Sequence, residues 1–296
     1  MKYRIMEKND RIGIVCCSNG RKKKTEREIN SLKNVLQHLG LVPVFSPFLY
    51  ETESVESVNA RKRAEILMDF YKDPSIRGIF DISGGDIANM ILPYLDFRVI
   101  SCSGKELWGY SDLTTVLNAI YGKTGKTSVL YQIRNLVSDN GFVQEKEFAK
   151  TVFGGRTDLF SFPYTFCQEK KMEGVIVGGN IRCFLKLAGT PYFPDLTDKI
   201  LLLEARGGSE GQILTYFAQL SQMGAFLDIR GVLLGTFTEL ESRGKGPSAF
   251  ELLQGFLPEG MPVVKTKQVG HGSDSKAVRI GQYYTFYEKE MKNVIF

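Results

Sequence analysis

The chain has 296 residues, of which 43% are hydrophobic and 24% charged, with a formal net charge of +5. That is the balance of a globular protein long enough for two ordinary domains, each with its own core. No apolar run approaches the ~20 residues that cross a bilayer, so a membrane partner is not expected.

The first eight residues, Met1 to Lys8, hold no apolar stretch of the signal-peptide kind. Ile12 to Cys17 is an apolar run ended by Ser18-Asn19-Gly20, a predicted strand. Arg21-Lys22-Lys23-Lys24 comes next. It lacks aromatic interleaving and a second basic block, so it reads as a solvated turn, and no nucleic-acid partner is expected. The following helix carries Ile29, Leu32, Val35, Leu36 and Leu39 on one face and stops at Gly40. Val42 to Val44 is a short strand, Ala60 to Tyr71 a helix, and Gly78 to Ile82 a strand ended by Ser83-Gly84-Gly85-Asp86. Ala88 to Leu95 reads as a short helix and Lys105 to Tyr110 as a strand. A helix from Thr114 to about Lys123 and a strand from Thr127 to Leu130 follow.

This alternation predicts an α/β fold: a mainly parallel sheet with flanking helices over residues 1–135. Residues 136–172 lack sustained periodicity and read as a linker, with a lid or hairpin. Residues 173–296 resume the alternation as a smaller C-terminal α/β domain. Its strands are Gly174 to Asn180, Lys199 to Glu204, Gly231 to Gly235 and Pro262 to Val264, and its helices are Glu210 to Met223 and Ala249 to Phe256. Val278 to Ile280 and Tyr283 to Tyr287 read as a β-hairpin around Gly281-Gln282.

Several familiar motifs fail. Gly122-Lys123-Thr124 and Gly125-Lys126-Thr127 lack the upstream glycine of a phosphate loop and end a helix instead of opening one. No Gly-x-Gly-x-x-Gly follows the first strand, and no His-Glu-x-x-His occurs. No cofactor and no metal are therefore expected. The five cysteines, Cys16, Cys17, Cys102, Cys167 and Cys183, are odd in number and form no Cys-x-x-Cys pair, which favours a reducing cytoplasm.

What survives is a serine. Ser111, in Gly109-Tyr110-Ser111-Asp112, sits where a predicted strand turns into a helix, at the strand end where sites of parallel sheets form. A hydroxyl there is exposed, and helix-terminal N–H groups can stabilise an oxyanion. Leu113 breaks the Gly-x-Ser-x-Gly elbow of α/β-hydrolases. A serine nucleophile needs a base, and the chain has two histidines. His38 lies in the last turn of a helix, a structural setting. His271, between Gly270 and Gly272, is either a surface-loop histidine or the base. Glu204 closes the apolar run Leu201-Leu202-Leu203 and is either a partner of Arg206 or the carboxylate that orients the base. Asp81, Asp86 and Asp112 are other possible orienters and Cys102 another possible nucleophile. The backbone N–H of Asp112, after the serine, suits an oxyanion.

Gly84-Gly85-Asp86-Ile87-Ala88-Asn89 with Leu92-Pro93-Tyr94-Leu95-Asp96, Gly109-Tyr110-Ser111-Asp112-Leu113-Thr114, Gly178-Gly179-Asn180, Leu201-Leu202-Leu203-Glu204 and Gly270-His271-Gly272 stand in this order along nearly the whole chain. This series resembles the LD-carboxypeptidase and microcin C self-immunity family of serine peptidases. The resemblance implies a Ser111–Glu204–His271 triad, an oxyanion hole from the backbone of Gly85 and Asp112, and cytoplasmic homodimers. It implies cleavage of an L,D-peptide bond in a small peptide or muropeptide, tetrapeptide to tripeptide plus D-alanine. The other branch implies cleavage of aminoacyl or peptidyl nucleotide analogues, with Phe142, Phe153, Phe160 and Tyr164 available to stack a base. The chain departs from the first branch at Ser83, where many members carry arginine. Arg134, Arg182 and Arg206 are candidates for holding a substrate carboxylate.

Overall fold

The computed structural model describes residues 4–288. The strands are β1 (Arg11–Val15), β2 (Val42–Phe45), β3 (Ile76–Asp81), β4 (Leu107–Gly109), β5 (Ser128–Leu130), β6 (Thr165–Gln168), β7 (Lys171–Asn180), β8 (Lys199–Ala205), β9 (Gly231–Phe237), β10 (Val263–Lys265), β11 (Val278–Ile280) and β12 (Tyr283–Tyr287). The helices are α1 (Glu26–His38), α2 (Ala60–Lys72), α3 (Phe97–Cys102), α4 (Thr114–Thr124), α5 (Gly141–Val152), α6 (Ile181–Leu185), α7 (Glu210–Gln222), α8 (Thr238–Ser242) and α9 (Ala249–Gln254). The protein is thus α/β, and the predicted alternation is present.

Two six-stranded sheets form. The first has the order β11-β5-β4-β3-β1-β2 and the second β12-β7-β8-β9-β10-β6. The inner pairs are parallel, and the antiparallel strands β11, β12 and β6 lie at the edges. Burial on both faces explains the continuous apolar runs. Along β8, Ile200 and Leu202 face one cluster while Leu201 and Leu203 face another, the period-2 alternation of a strand. The first of these clusters bridges the sheets: Val116, Leu117 and Ile120 of α4 belong to it with Ile176, Ile200 and Leu202.

That bridge has a polar clasp. Asn118 of α4 donates from Nδ2 to the Gly178 carbonyl (2.8 Å) and accepts from the Gly178 N–H (2.8 Å). One turn earlier, Thr114 Oγ1 accepts from the Asn180 N–H at 3.1 Å. Gly179 between them has φ +136°, and a Cβ there would lie 2.8 Å from Thr114 Oγ1, so only glycine permits this approach.

Residues 136–172, which read as a linker with a lid or hairpin, contain α5 and β6. The helical period of α5 is hidden because Gln144 and Thr151 are buried while Phe142 is 82% exposed. Gln144 tolerates burial because it accepts from Tyr131 Oη and donates to the Ser275 carbonyl. The expected C-terminal hairpin does not pair with itself. β11 adds to β5 of the first sheet and β12 to β7 of the second, and the Gly281 N–H between them is pinned on the Ile176 carbonyl. The 88–95 helix is a 3-10 segment, Ala88–Tyr94, with Pro93 inside it.

Candidate active site

The strand ends of both sheets bring the chain-distant Ser111 and His271 to one cavity of about 460 Å³, lined also by Gly85, Tyr110, Arg134 and Arg206 among others. Ser111 follows β4 and opens the short 3-10 turn Ser111–Leu113 ahead of α4. Its φ is +56°, a backbone state that costs a non-glycine residue about 1–3 kcal/mol and that clusters at functional sites. The turn is held by N–H donors of Leu113 and Thr114 on the Tyr110 and Ser111 carbonyls.

His271 lies in the loop after β10. Its Nε2 is 3.1 Å from Ser111 Oγ, and its Nδ1 is 2.8 Å from Glu204 Oε2. Glu204, near the end of β8, is fully buried. Its other oxygen accepts from Asn180 Nδ2 at 3.0 Å. The Asn180 amide is oriented by the Cys183 N–H, which donates to Oδ1 at 3.2 Å. A carboxylate only accepts, so Nδ1 of a neutral His271 carries the hydrogen and Nε2 is left to accept from the Ser111 hydroxyl. Tyr110 packs its ring edge-on against His271 at 5.0 Å between centroids. Its hydroxyl is buried beside Glu204 without a well-formed hydrogen bond. Burial, and after it the Glu204 carboxylate, push the phenol well above its usual range, so it stays protonated.

Asp112 is also fully buried but points away from the cavity. Its carboxylate accepts from Ser18 Oγ (2.6 Å), from the Ala88 N–H (2.8 Å) and from Lys186 Nζ. The side chain is thus an anchor for the loop before Ala88. Gly85 lines the same cavity with φ +128°, and a Cβ would collide with the Asn19 amide at 2.2 Å. That amide accepts from the Asp86 N–H and so shapes the loop.

The other candidates fall elsewhere. Asp81 is buried under the loop, accepting from the Cys17 N–H and from Ser83. Asp86 pairs with Arg182, which also donates to the Gly85 carbonyl. His38 is exposed at the end of α1 and Cys102 at the end of α3, and neither lines the cavity. Of the four aromatics, Phe153 and Phe160 pack against the cluster of Ile12, Phe80, Trp108 and Phe148 and Tyr164 against Phe286, leaving Phe142 exposed. Asn180, Tyr110 and Lys186 escaped sequence reasoning as site components. A polar residue ending the apolar run Val175-Ile176-Val177 was the available signal for Asn180.

Two mainly parallel sheets with a serine, histidine and carboxylate converging at their strand ends define a hydrolase-like site. Residues 12–131 match the LD-carboxypeptidase N-terminal domain and residues 173–286 the LD-carboxypeptidase C-terminal domain, so the chain belongs to the LD-carboxypeptidase family of peptidases. It is 26% identical over 292 residues to a Bacillus subtilis (strain 168) protein named probable murein peptide carboxypeptidase, covering 95% of this chain and 89% of that one. It is 24% identical to the Escherichia coli microcin C7 self-immunity protein MccF, covering 74% and 73% of the two chains. The solved structure of MccF in complex with glutamyl sulfamoyl guanosine superposes with a TM-score of 0.85 at 20% identity, over 96% of this chain and 97% of that one, a shared fold.

Proposed function

We propose that this protein is a serine carboxypeptidase that hydrolyses an L,D-peptide bond, releasing D-alanine from a muropeptide tetrapeptide. The carrying observation is the serial contact Ser111 Oγ–His271 Nε2–Glu204 at 3.1 and 2.8 Å. In this reading His271 takes the hydroxyl proton as Ser111 attacks the scissile carbonyl. It then returns that proton to the departing amine, and a water repeats the cycle to free the acyl group. Glu204 fixes the tautomer and stabilises the imidazolium. Backbone N–H groups of Gly85 and Asp112 receive the oxyanion, each worth about 3 kcal/mol by the measure of other such sites. The murein-peptide name of the Bacillus subtilis relative supports the substrate class. A cytoplasmic homodimer belongs to the same proposal.

Purified protein given a muramoyl tetrapeptide releases D-alanine, and Ser111→Ala abolishes release without lowering the melting temperature by more than a few degrees. Release persisting in that variant refutes the assignment. A second substrate class, peptidyl nucleotide analogues, is favoured by the microcin-immunity relative. Phe142 is the exposed aromatic left for base stacking. Cleavage of a peptidyl-adenylate analogue with the tetrapeptide untouched selects this class instead.

A further inference from the structure

The cavity around Ser111 carries more positive charge than its own pairs neutralise. Arg21, Arg134, Arg206 and Lys276 line it against one lining carboxylate, Glu28. Lys276 is answered by Glu147, from outside the lining. Arg21 and Arg134 must share Glu28: Arg21 Nη2 lies 2.8 Å from one carboxylate oxygen and Arg134 Nη1 2.9 Å from the other. The two guanidinium groups are largely withdrawn from solvent, with side chains 16% and 24% exposed, and the Nε of each is buried without a partner.

The fold places both deliberately near the site. Arg21 follows β1 and Arg134 lies in the 3-10 turn Ile133–Val137 after β5, so both sit at the strand ends that carry Ser111. Arg21 is thereby unlike Lys22, Lys23 and Lys24, which are exposed. Arg182, by contrast, is committed to Asp86 and the Gly85 carbonyl.

Two arginines on one carboxylate leave a net positive charge in a partly desolvated wall, with planar donor forks that suit a second carboxylate. Resting on the peptidase reading of Ser111, we propose that Arg21 and Arg134, aligned by Glu28, form the subsite that holds a carboxylate of the substrate. Burial, and next the Arg21 charge, hold the Arg134 guanidinium below its ordinary value, with Glu28 acting against both. An incoming carboxylate relieves that strain. A peptide that ends in a D-amino acid offers one carboxylate at its terminus and others on side chains of the acyl part, so the test separates them.

Binding of uncleaved peptide to Ser111→Ala protein is measured by calorimetry, with and without Arg134→Gln or Arg21→Gln. Three probes are used: the free tetrapeptide, its C-terminal amide, and the peptide amidated at its acyl-side carboxyl groups. Each arginine substitution is expected to weaken the free peptide about 10- to 100-fold, the effect of losing a charged hydrogen-bonding pair. The same substitution leaves the affinity of one amidated probe nearly unchanged, and that probe identifies the carboxylate. Arg134→Lys keeps the charge and the Glu28 partner but not the fork, and recovers part of the affinity. An equal loss on all three probes, no loss, or no binding at all overturns the subsite. Wild-type protein that binds but cleaves nothing, or turnover persisting in Ser111→Ala, refutes the peptidase reading instead and leaves the binding result to decide the subsite.

Discussion

Glu204→Gln is the sharpest test of the hydrogen-bond chain, because both groups hydrogen-bonded to this side chain are donors. Asn180 Nδ2 lies 3.0 Å from one oxygen and His271 Nδ1 2.8 Å from the other. Asn180 cannot turn over to help, since its Oδ1 already accepts from the Cys183 N–H. A glutamine offers one oxygen and one NH2. With its oxygen toward Asn180, its NH2 faces Nδ1, which must then be an unprotonated acceptor. The hydrogen moves to Nε2, and His271 can no longer take a proton from Ser111. Loss of the correct tautomer costs about 10⁴-fold in kcat, or about 5 kcal/mol. With the amide reversed, two donors face each other in a fully buried site, at a cost of about 1–3 kcal/mol of stability. D-alanine release and a urea unfolding curve, measured together, separate the two outcomes. Adding Asn180→Ala to Glu204→Gln removes the competing donor, so the amide oxygen can turn to Nδ1. That double variant regains roughly 10-fold over the single one, although it loses the α6 cap, worth ~1 kcal/mol. A Glu204→Gln enzyme within a factor of ten of wild type and with an unchanged urea midpoint refutes this account of the carboxylate.

Further expectations concern the supports of the site. Lys186→Met leaves the fully buried Asp112 carboxylate without its cation and is expected to destabilise by about 3 kcal/mol, at the low end for a broken buried pair because Lys186 is partly exposed; an unfolding midpoint unchanged within error counts against the pair as an anchor. Gly179→Ala forces a left-handed alanine against Thr114 and is expected to cost about 1–3 kcal/mol and to lower kcat, because Thr114 begins the helix behind Ser111; full activity with unchanged stability contradicts this. Burial raises the Asp81 carboxyl, with hydrogen bonds from Ser83 and Cys17 acting against it. The folded state therefore binds this proton more tightly than the unfolded chain, whose value is about 3.9, and the contribution is present below that pH and lost as pH rises through the folded value. The stability gap between wild type and Asp81→Asn should narrow as pH climbs from about 4, and urea midpoints at three pH values test the sign.

Much of this protein is written locally. Val175 to Val177, Leu201 to Leu203 and Val232 to Leu234 are apolar runs that only doubly covered strands explain, and the Ile29, Leu32, Leu36 stripe gives α1. Ser111, on a strand-to-helix turn, and the scarcity of histidine narrowed the candidate chemistry before any geometry was known. Local pattern failed where burial was settled by distant partners. Gln144 and Thr151 lie inside and Phe142 outside because α5 is docked on the Tyr131 hydroxyl, the Ser275 carbonyl and the Leu159 N–H, contacts that no local pattern reveals.

 The hairpin failed for the same reason. Residues 278–287 have the local signs of a turn between strands, but each strand finds a longer-range partner in a different sheet.

The sequence by itself determined most of the elements, the mainly parallel character of the sheets and the residue types available for chemistry, because these follow from apolar period, turn residues and side-chain inventory. Only the tertiary structure decided which residues meet. Ser111 and His271 stand 160 positions apart and come to 3.1 Å through the α4–β7 clasp, where Asn118 and Thr114 grip Gly178 and Asn180. It also set Arg21 apart from the lysines beside it, since burial against Glu28 and Arg134 depends on the strand order of the first sheet and not on the basic run in which Arg21 is found.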